Sequence, residues 1–157
     1  MGVPRILRKT IAKEESLEGI GLHSGKKTRL VFSPAPPNTG VIFTRAKQFP
    51  LLSIEAVAGN VVDTSLAVTL GNGKWRIQTV EHLMAGLHMC GITDIFIDTT
   101  EEEIPILDGS AQPFCDFLQE VGIVDYPDDF VEPLEIQNPV WVLDGDKYLI
   151  ALPSKTY

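Results

Sequence analysis

The chain has 157 residues, of which 44% are hydrophobic, and it carries a formal net charge of −8 and a mean hydropathy of +0.09. This length holds one domain with a substantial core, or one domain and part of another, and the composition is too apolar for a disordered protein. The negative charge argues against nucleic acid as a partner, because proteins that bind the phosphate backbone need clustered Lys and Arg.

The first predicted elements are strands at residues 6–12 and 28–32, separated by a segment rich in glycine, GIGLHSG at residues 19–25. Glycine permits positive φ angles and close approach of the backbone to a ligand, so this segment is either a simple turn or a cradle for a phosphate. The phosphate alternative is the weaker one, because no helix follows to direct its amides at an anion.

Short strands are next predicted at residues 41–44, 66–70 and 74–77, with a turn at 71–73 before the last of them. A helix at residues 79–90 follows, with Thr79 as its N-cap, an i, i+3, i+4, i+7 apolar stripe and Gly91 at its end. Glu81 and His82 fall beside the centre of that stripe, so both side chains can face a cleft while the helix stays docked.

A strand at residues 94–99 and a loop at 104–110 lead to a second helix, capped by Ser110 and ended by Gly122. Its apolar residues, Phe114, Phe117, Leu118 and Val121, are expected to face inward. Several strands, a helix, a strand and a helix predict an α+β fold, with two helices packed on one face of an antiparallel or mixed sheet.

The last part of the chain, residues 134–152, reads as a strand, a turn at 144–146 and another strand. This pattern echoes residues 21–34, and such repeats usually indicate duplicated units. We therefore predict a first β-α domain at residues 1–126, and a linker with the opening strands of an incomplete second copy at 127–157. The polar segment 125–129, which contains a proline, is the expected linker.

Neither a membrane span nor a secretory leader is predicted. No stretch approaches the roughly eighteen apolar residues that a transmembrane helix needs, and the segment beginning Met1-Gly2-Val3-Pro4 lacks the apolar core of a signal peptide. We therefore expect a cytoplasmic protein. Cys90 and Cys115 lack C-x-x-C spacing and are expected to be reduced thiols, with a disulfide as the weaker alternative. Acidic runs such as residues 101–103 are expected to form a solvated face.

Glu81 and His82 form the most informative pair, because a carboxylate beside an imidazole can act as a general base next to a zinc ligand. An isolated histidine on a helix is nonetheless more often a packed or surface residue. Neither common zinc-protease helix is present: Gly86 stands where H-E-x-x-H needs its second histidine, and Gln78 where H-x-x-E-H needs its first. His88 lies six residues from His82 and cannot share a metal with it on a straight helix.

Four segments together closely resemble the zinc-dependent UDP-3-O-acyl-N-acetylglucosamine deacetylases of lipid A synthesis. They are GIGLHSG at residues 19–25, VDTSL at 62–66, TVEHLM at 79–84 and EIPILDGSA at 103–111. The resemblance implies two domains of similar β-α topology with the active site between them. It also implies that the substrate is UDP-3-O-acyl-N-acetylglucosamine and the cofactor Zn²⁺.

The resemblance implies roles for individual residues. Glu81 matches the general base that takes a proton from zinc-bound water, and His82 matches the first zinc ligand. The other ligands, a His and an Asp, lie in the family's second domain, after the last residue of this sequence. Leu66 and Ala67 match a loop at the substrate cleft. His23 and Asp108 match motif residues near the site or directly behind it, although the alternative for His23 is a turn residue and for Asp108 a turn that leads into the helix, since Gly and Asp are common in turns.

Two hypotheses remain open at this stage. The chain is either the first domain of a zinc-dependent deacetylase, completed by a second domain or a partner chain that carries the remaining zinc ligands, or a non-catalytic α+β binding module or inactive fragment that pairs with a partner domain. Zinc binding by a longer protein separates them, since a catalytic site needs about three protein ligands.

Overall fold

The computed structural model describes residues 5–45 and 51–154. Packing divides them into two compact units, Leu7–Phe130 and a smaller unit made of residues 5–6 and 131–154. Two helices and twelve strands lie within the described residues, which confirms the α+β class. Neither of these helices is long and apolar enough to cross a membrane.

The elements are numbered in chain order. The strands are β1 (Ile6–Ile11), β2 (Glu15–Ile20), β3 (Lys27–Pro34), β4 (Val41–Arg45), β5 (Leu52–Glu55), β6 (Val61–Asp63), β7 (Thr69–Gly71), β8 (Arg76–Gln78), β9 (Ile95–Thr99), β10 (Ile123–Val131), β11 (Val140–Asp144) and β12 (Lys147–Ala151). The helices are α1 (Glu81–Met89) and α2 (Gln112–Val121), and one 3-10 turn covers Ala58–Asn60.

The centre of the larger unit is a five-stranded mixed sheet in the order β2-β3-β9-β4-β5. β4 runs parallel to β9, while the other neighbouring pairs are antiparallel. Alternate residues of β3 and β9 are buried, including Leu30, Phe32, Ile95 and Ile97. This period of two is what a sheet with one covered face requires.

The two helices cover that face, and their buried side chains join those of the sheet in one hydrophobic cluster. Phe114, Leu118 and Val121 of α2 are buried as predicted, while Phe117 is half-buried. The helices approach each other closely at Gly86, where an added Cβ would lie 2.8 Å from the Cβ of Phe114. Helix α1 therefore docks through its glycine-bearing face, away from the start of the helix.

Some predicted boundaries were wrong. Residues 15–20 form β2, whereas only a glycine segment from residue 19 onward was expected there. The strand expected at 66–70 begins only at Thr69, so Leu66 and Ala67 precede it. Both helices end at the predicted glycines, Gly91 (φ 69°) and Gly122 (φ 91°), whose positive φ angles suit a residue without Cβ.

The predicted helix caps also need correction. Thr79 does not cap α1, because the helix begins at Glu81 after Val80, and Thr79 itself has a φ of 60°. Helix α2 begins at Gln112 after Ala111. Ser110 therefore lies one position before the N-cap, although its hydroxyl still accepts a hydrogen bond from the Gln112 amide at 3.2 Å.

The expected linker at 125–129 lies within strand β10, which pairs with β1. Its Tyr126 hydroxyl donates a hydrogen bond to the Ala35 carbonyl, and both residues belong to the larger unit. In the smaller unit, β11 and β12 form the predicted antiparallel hairpin, with Gly145 at φ 60° in the turn. The division into duplicated domains stays a prediction.

Candidate functional site

Glu81 and His82 occupy the first turn of α1, and both are half-buried. The first turn presents unpaired backbone N–H groups and the positive end of the helix dipole, an environment that favours a carboxylate. The Glu81 Oε2 atom accepts a hydrogen bond from the Val68 amide at 3.0 Å. The Val80 amide in turn donates to the Val68 carbonyl at 3.4 Å.

These two bonds attach the loop before β7 to the start of α1. Ala67, which adjoins Val68, is half-buried, and Leu66 is 84% exposed. The fold thus brings the segment of Leu66 and Ala67 next to the Glu81 carboxylate, and it leaves the Leu66 side chain in solvent. Their roles in substrate binding stay a prediction.

Thr79 sets the direction in which α1 leaves β8. It is buried and has a φ of 60°, a left-handed conformation that costs a β-branched residue about 1–2 kcal/mol. The backbone on either side is braced by residues 102–104: the Gln78 amide donates to the Glu102 carbonyl, and the Ile104 amide donates to the Gln78 carbonyl, both at 3.0 Å. The turn into the helix is therefore imposed by contacts distant in the chain.

The carboxylate of Glu103 lies behind this turn and is 1% exposed. It accepts hydrogen bonds from the His23 amide at 2.8 Å, the Ser24 amide at 2.7 Å and the Thr79 hydroxyl at 3.3 Å. Burial raises the pKa of Glu103, but hydrogen bonds from His23, Ser24 and Gln78 together lower it by more, so that its pKa lies below the ordinary value. Glu103 is therefore a buried, charged acceptor.

This burial corrects the expectation that residues 101–103 form a solvated face. Glu101 and Glu102 do form surface ion pairs, with Lys26 at 3.0 Å and Arg45 at 3.4 Å respectively. Glu103 points the other way and is the buried residue that the sequence reasoning missed. Its position at the start of the EIPILDGSA segment is the signal that could have found it.

The glycine segment at 19–25 is a turn between β2 and β3. The Gly21 amide donates to the Lys26 carbonyl, the Gly25 amide donates to the Gly21 carbonyl, and Gly25 has a φ of 65°. The amides of His23 and Ser24, which a phosphate would need, are already bonded to Glu103. The turn alternative is thus confirmed. The His23 side chain is exposed, and its role near the substrate stays a prediction.

Asp108 is exposed and accepts hydrogen bonds from the amide and hydroxyl of Ser110, both at 2.8 Å. These two bonds lower the pKa of the Asp108 carboxyl. They form a local turn leading into α2, which agrees with the turn alternative. Its position behind Glu81 and His82 stays a prediction.

The backbone nevertheless brings the resembling segments together. The Ile106 amide donates to the Ile20 carbonyl at 3.0 Å, and a Cβ on Gly19 would lie 2.6 Å from the Cβ of Pro105. Through Glu103, the segments at 19–25 and 103–111 both contact the turn that begins α1. Residues spread over about 90 positions therefore support one helix terminus.

The described residues do not form a zinc site by themselves. No group of three or more His, Cys, Asp and Glu side chains among them could hold a metal ion. Both cysteines are free thiols, as predicted. Burial and the neighbouring Cys115 raise the pKa of Cys90 to about 11, so Cys90 is a neutral thiol and a poor zinc ligand at neutral pH. The role of His82 as a zinc ligand stays a prediction.

Nearly the whole chain is similar to known proteins. Residues 8–157 match the family model described as LpxC, UDP-3-O-acyl N-acetylglycosamine deacetylase. Among curated relatives named UDP-3-O-acyl-N-acetylglucosamine deacetylase, the protein from Leptospira biflexa is 47% identical over 150 residues, which cover 95% of this chain and 49% of the relative. The protein from Myxococcus xanthus is 43% identical over 150 residues, covering 96% and 48%.

A third relative of the same name, from Citrifermentans bemidjiense, is 41% identical over 152 residues, which cover 97% of this chain and 50% of the relative. The chain thus spans about half the length of the curated relatives that it matches. Because the family model covers nearly the whole chain, the chain belongs to the LpxC family of UDP-3-O-acyl N-acetylglycosamine deacetylases.

Proposed function

We propose that this chain supplies the general base and one zinc ligand for hydrolysis of the acetamide of UDP-3-O-acyl-N-acetylglucosamine, the committed step of lipid A synthesis, in the cytoplasm. The observation that carries the proposal is the Glu81-His82 pair on the first turn of α1, with Glu81 fixed by the Val68 amide. Membership of the LpxC family supplies the substrate class.

Glu81 acts as the base in this proposal. The Val68 amide donates its hydrogen bond to Oε2 of the carboxylate. We assign the other oxygen, Oε1, to the attacking water. Because this hydrogen bond already restricts the orientation of the carboxylate, little conformational entropy is lost when the base reacts. The leaving amine must gain a proton, either the one that Glu81 took from water or one donated by a second acid, in which case Glu81 later returns its own proton to solvent.

His82 provides one nitrogen donor toward zinc. When bound, zinc lowers the pKa of its water toward neutrality and stabilises the oxyanion that forms on the acetamide. Since one donor does not hold zinc tightly, we place the other ligands in a second domain or a partner chain. Leu66, Ala67 and His23 would contact the substrate in this arrangement, with Asp108 behind the site.

The proposal is tested in an extended protein, defined as this chain joined to the C-terminal half of the Leptospira biflexa relative. Release of acetate from UDP-3-O-acyl-N-acetylglucosamine is measured with zinc added, together with the zinc content of the purified protein. The extended protein should be active and the chain alone inactive. Glu81→Ala should abolish turnover and keep zinc, and His82→Ala should lose both.

His88→Ala is the matched control, because His88 is an exposed histidine on the same helix. It should leave turnover and zinc content unchanged. Full turnover in the Glu81→Ala protein would contradict the base assignment. An extended protein that binds no zinc and releases no acetate would favour the non-catalytic binding module.

A further inference from the structure

Glu103 joins two parts of the chain that are distant in sequence. Its side chain bonds to the amides of His23 and Ser24, about 80 positions earlier, and to the hydroxyl of Thr79, 24 positions earlier. These three donors, together with the Gln78 side chain, converge on one carboxylate that is 1% exposed. Such a buried charge is stable only when its lone pairs are satisfied, so the three donors are fixed relative to one another.

Thr79 transmits this constraint to the catalytic pair. It lies two residues before Glu81, at the left-handed position where β8 turns into α1. On the other side, Glu81 is bonded to the Val68 amide. A short series of contacts thus runs from Glu103 through Thr79 and the first turn of α1 to Val68.

The surroundings of Glu103 have the shape that this arrangement needs. A Cβ added to Gly21 would lie 2.4 Å from Oε2 of Glu103 and 2.5 Å from the Ser24 hydroxyl oxygen. Gly21 is itself buried. The turn therefore carries glycine where the carboxylate approaches the backbone, and a larger residue there would displace the carboxylate.

We propose that Glu103 is a positioning residue, whose buried carboxylate holds Thr79 against the turn at residues 21–24 and thereby fixes the first turn of α1, where Glu81 meets Val68. The part of this proposal that concerns turnover rests on the proposed function. The part that concerns the placement of Glu81 does not rest on the proposed function, because hydrogen exchange of the Val68 amide measures its bond to Glu81 directly.

The placement is tested by hydrogen exchange of individual amides in this chain, measured by NMR. Glu103→Ala should speed exchange at His23, Ser24 and Val68 by roughly tenfold, the effect of losing one hydrogen bond, relative to the amides of β9. The comparison with β9 separates a local change from a general loss of stability. Glu102→Gln is the matched control, since it removes a neighbouring surface charge, and it should leave the Val68 amide unchanged.

Two further variants keep the test decisive if Glu103→Ala does not fold. Glu103→Gln retains one acceptor oxygen but turns an NH₂ group toward one of the amides, so it should show an intermediate effect. Gly21→Ala keeps the carboxylate and pushes it away, so it should also speed exchange at Val68. Folded variants with unchanged exchange at Val68 would overturn the proposal.

In the extended protein, Glu103→Ala should lower kcat roughly 10- to 100-fold, the usual range for a residue that orients a catalytic group, with KM and zinc content unchanged. Unchanged kcat together with faster exchange at Val68 would overturn only the claim that Glu103 affects turnover. Because the exchange experiment needs no turnover, failure of the proposed deacetylase activity leaves the placement of Glu81 independently tested.

Discussion

Replacing Thr79 tests the left-handed turn that begins α1. Thr79 has a φ of 60°, a conformation that costs a residue with a Cβ about 1–2 kcal/mol and costs glycine almost nothing. Glycine, however, loses about 0.5–1 kcal/mol to the entropy of the unfolded chain relative to alanine. The difference predicts that Thr79→Gly is more stable than Thr79→Ala by roughly 0–1.5 kcal/mol, the reverse of the usual order.

Both variants lose the same bond from the Thr79 hydroxyl to Glu103, at 3.3 Å, so its loss cancels in the comparison. The free energy of unfolding is measured by urea titration, followed by circular dichroism at constant pH. Thr44 is the matched control: it lies in β4 and also donates to a carboxylate, that of Asp98 at 3.1 Å. There the glycine variant should be the less stable one. A Thr79→Ala protein clearly more stable than Thr79→Gly would refute the left-handed turn.

Two predictions concern titratable groups. The pKa of Glu103 is lower in the folded chain than its ordinary value of 4.5, so at pH values near 4.5 the unfolded chain binds more protons than the folded one. The contribution of Glu103 to folding stability is therefore complete above about pH 4.5 and is lost as the pH falls through the folded pKa. Urea titrations should therefore show a steeper acid loss of stability in the wild type than in Glu103→Gln, and equal slopes would contradict this. Burial raises the pKa of Cys90 from 9.0 to about 11, so iodoacetamide at pH 8 should modify it roughly 100-fold more slowly in the native chain than in urea, and similar rates would refute its burial.

The sequence predicted the helices better than the small strands. Helix α2 carries a strong apolar period, that of α1 is weaker, and both helices end at glycines, which are signals of the local segment. Of the two large apolar residues of strand β2, Leu17 is half-buried and Ile20 is exposed, so its pattern is weak. Residues 66–68 read as the start of a strand, but the Val68 amide bonds to Glu81 before β7 begins. A tertiary contact overrides the local pattern there.

The same distinction applies to the site. Glu81 and His82 were predicted from adjacent residues on one helix turn, which a sequence displays directly. Glu103 was misread as a surface acid, because its burial depends on amides about 80 positions away. The segment around Pro127 was misread as a linker, because its polar residues conceal the pairing of β10 with β1. Contacts of this range leave no periodic signal in a single sequence.

The role of Glu81 as the base is decided by the turnover of the extended protein before and after Glu81→Ala, with zinc content determined on the same samples. We expect zinc-dependent release of acetate from UDP-3-O-acyl-N-acetylglucosamine by the unchanged protein. We expect no release by the Glu81→Ala protein, which should still bind zinc. Equal turnover by the two proteins would contradict the assignment of Glu81 as the general base.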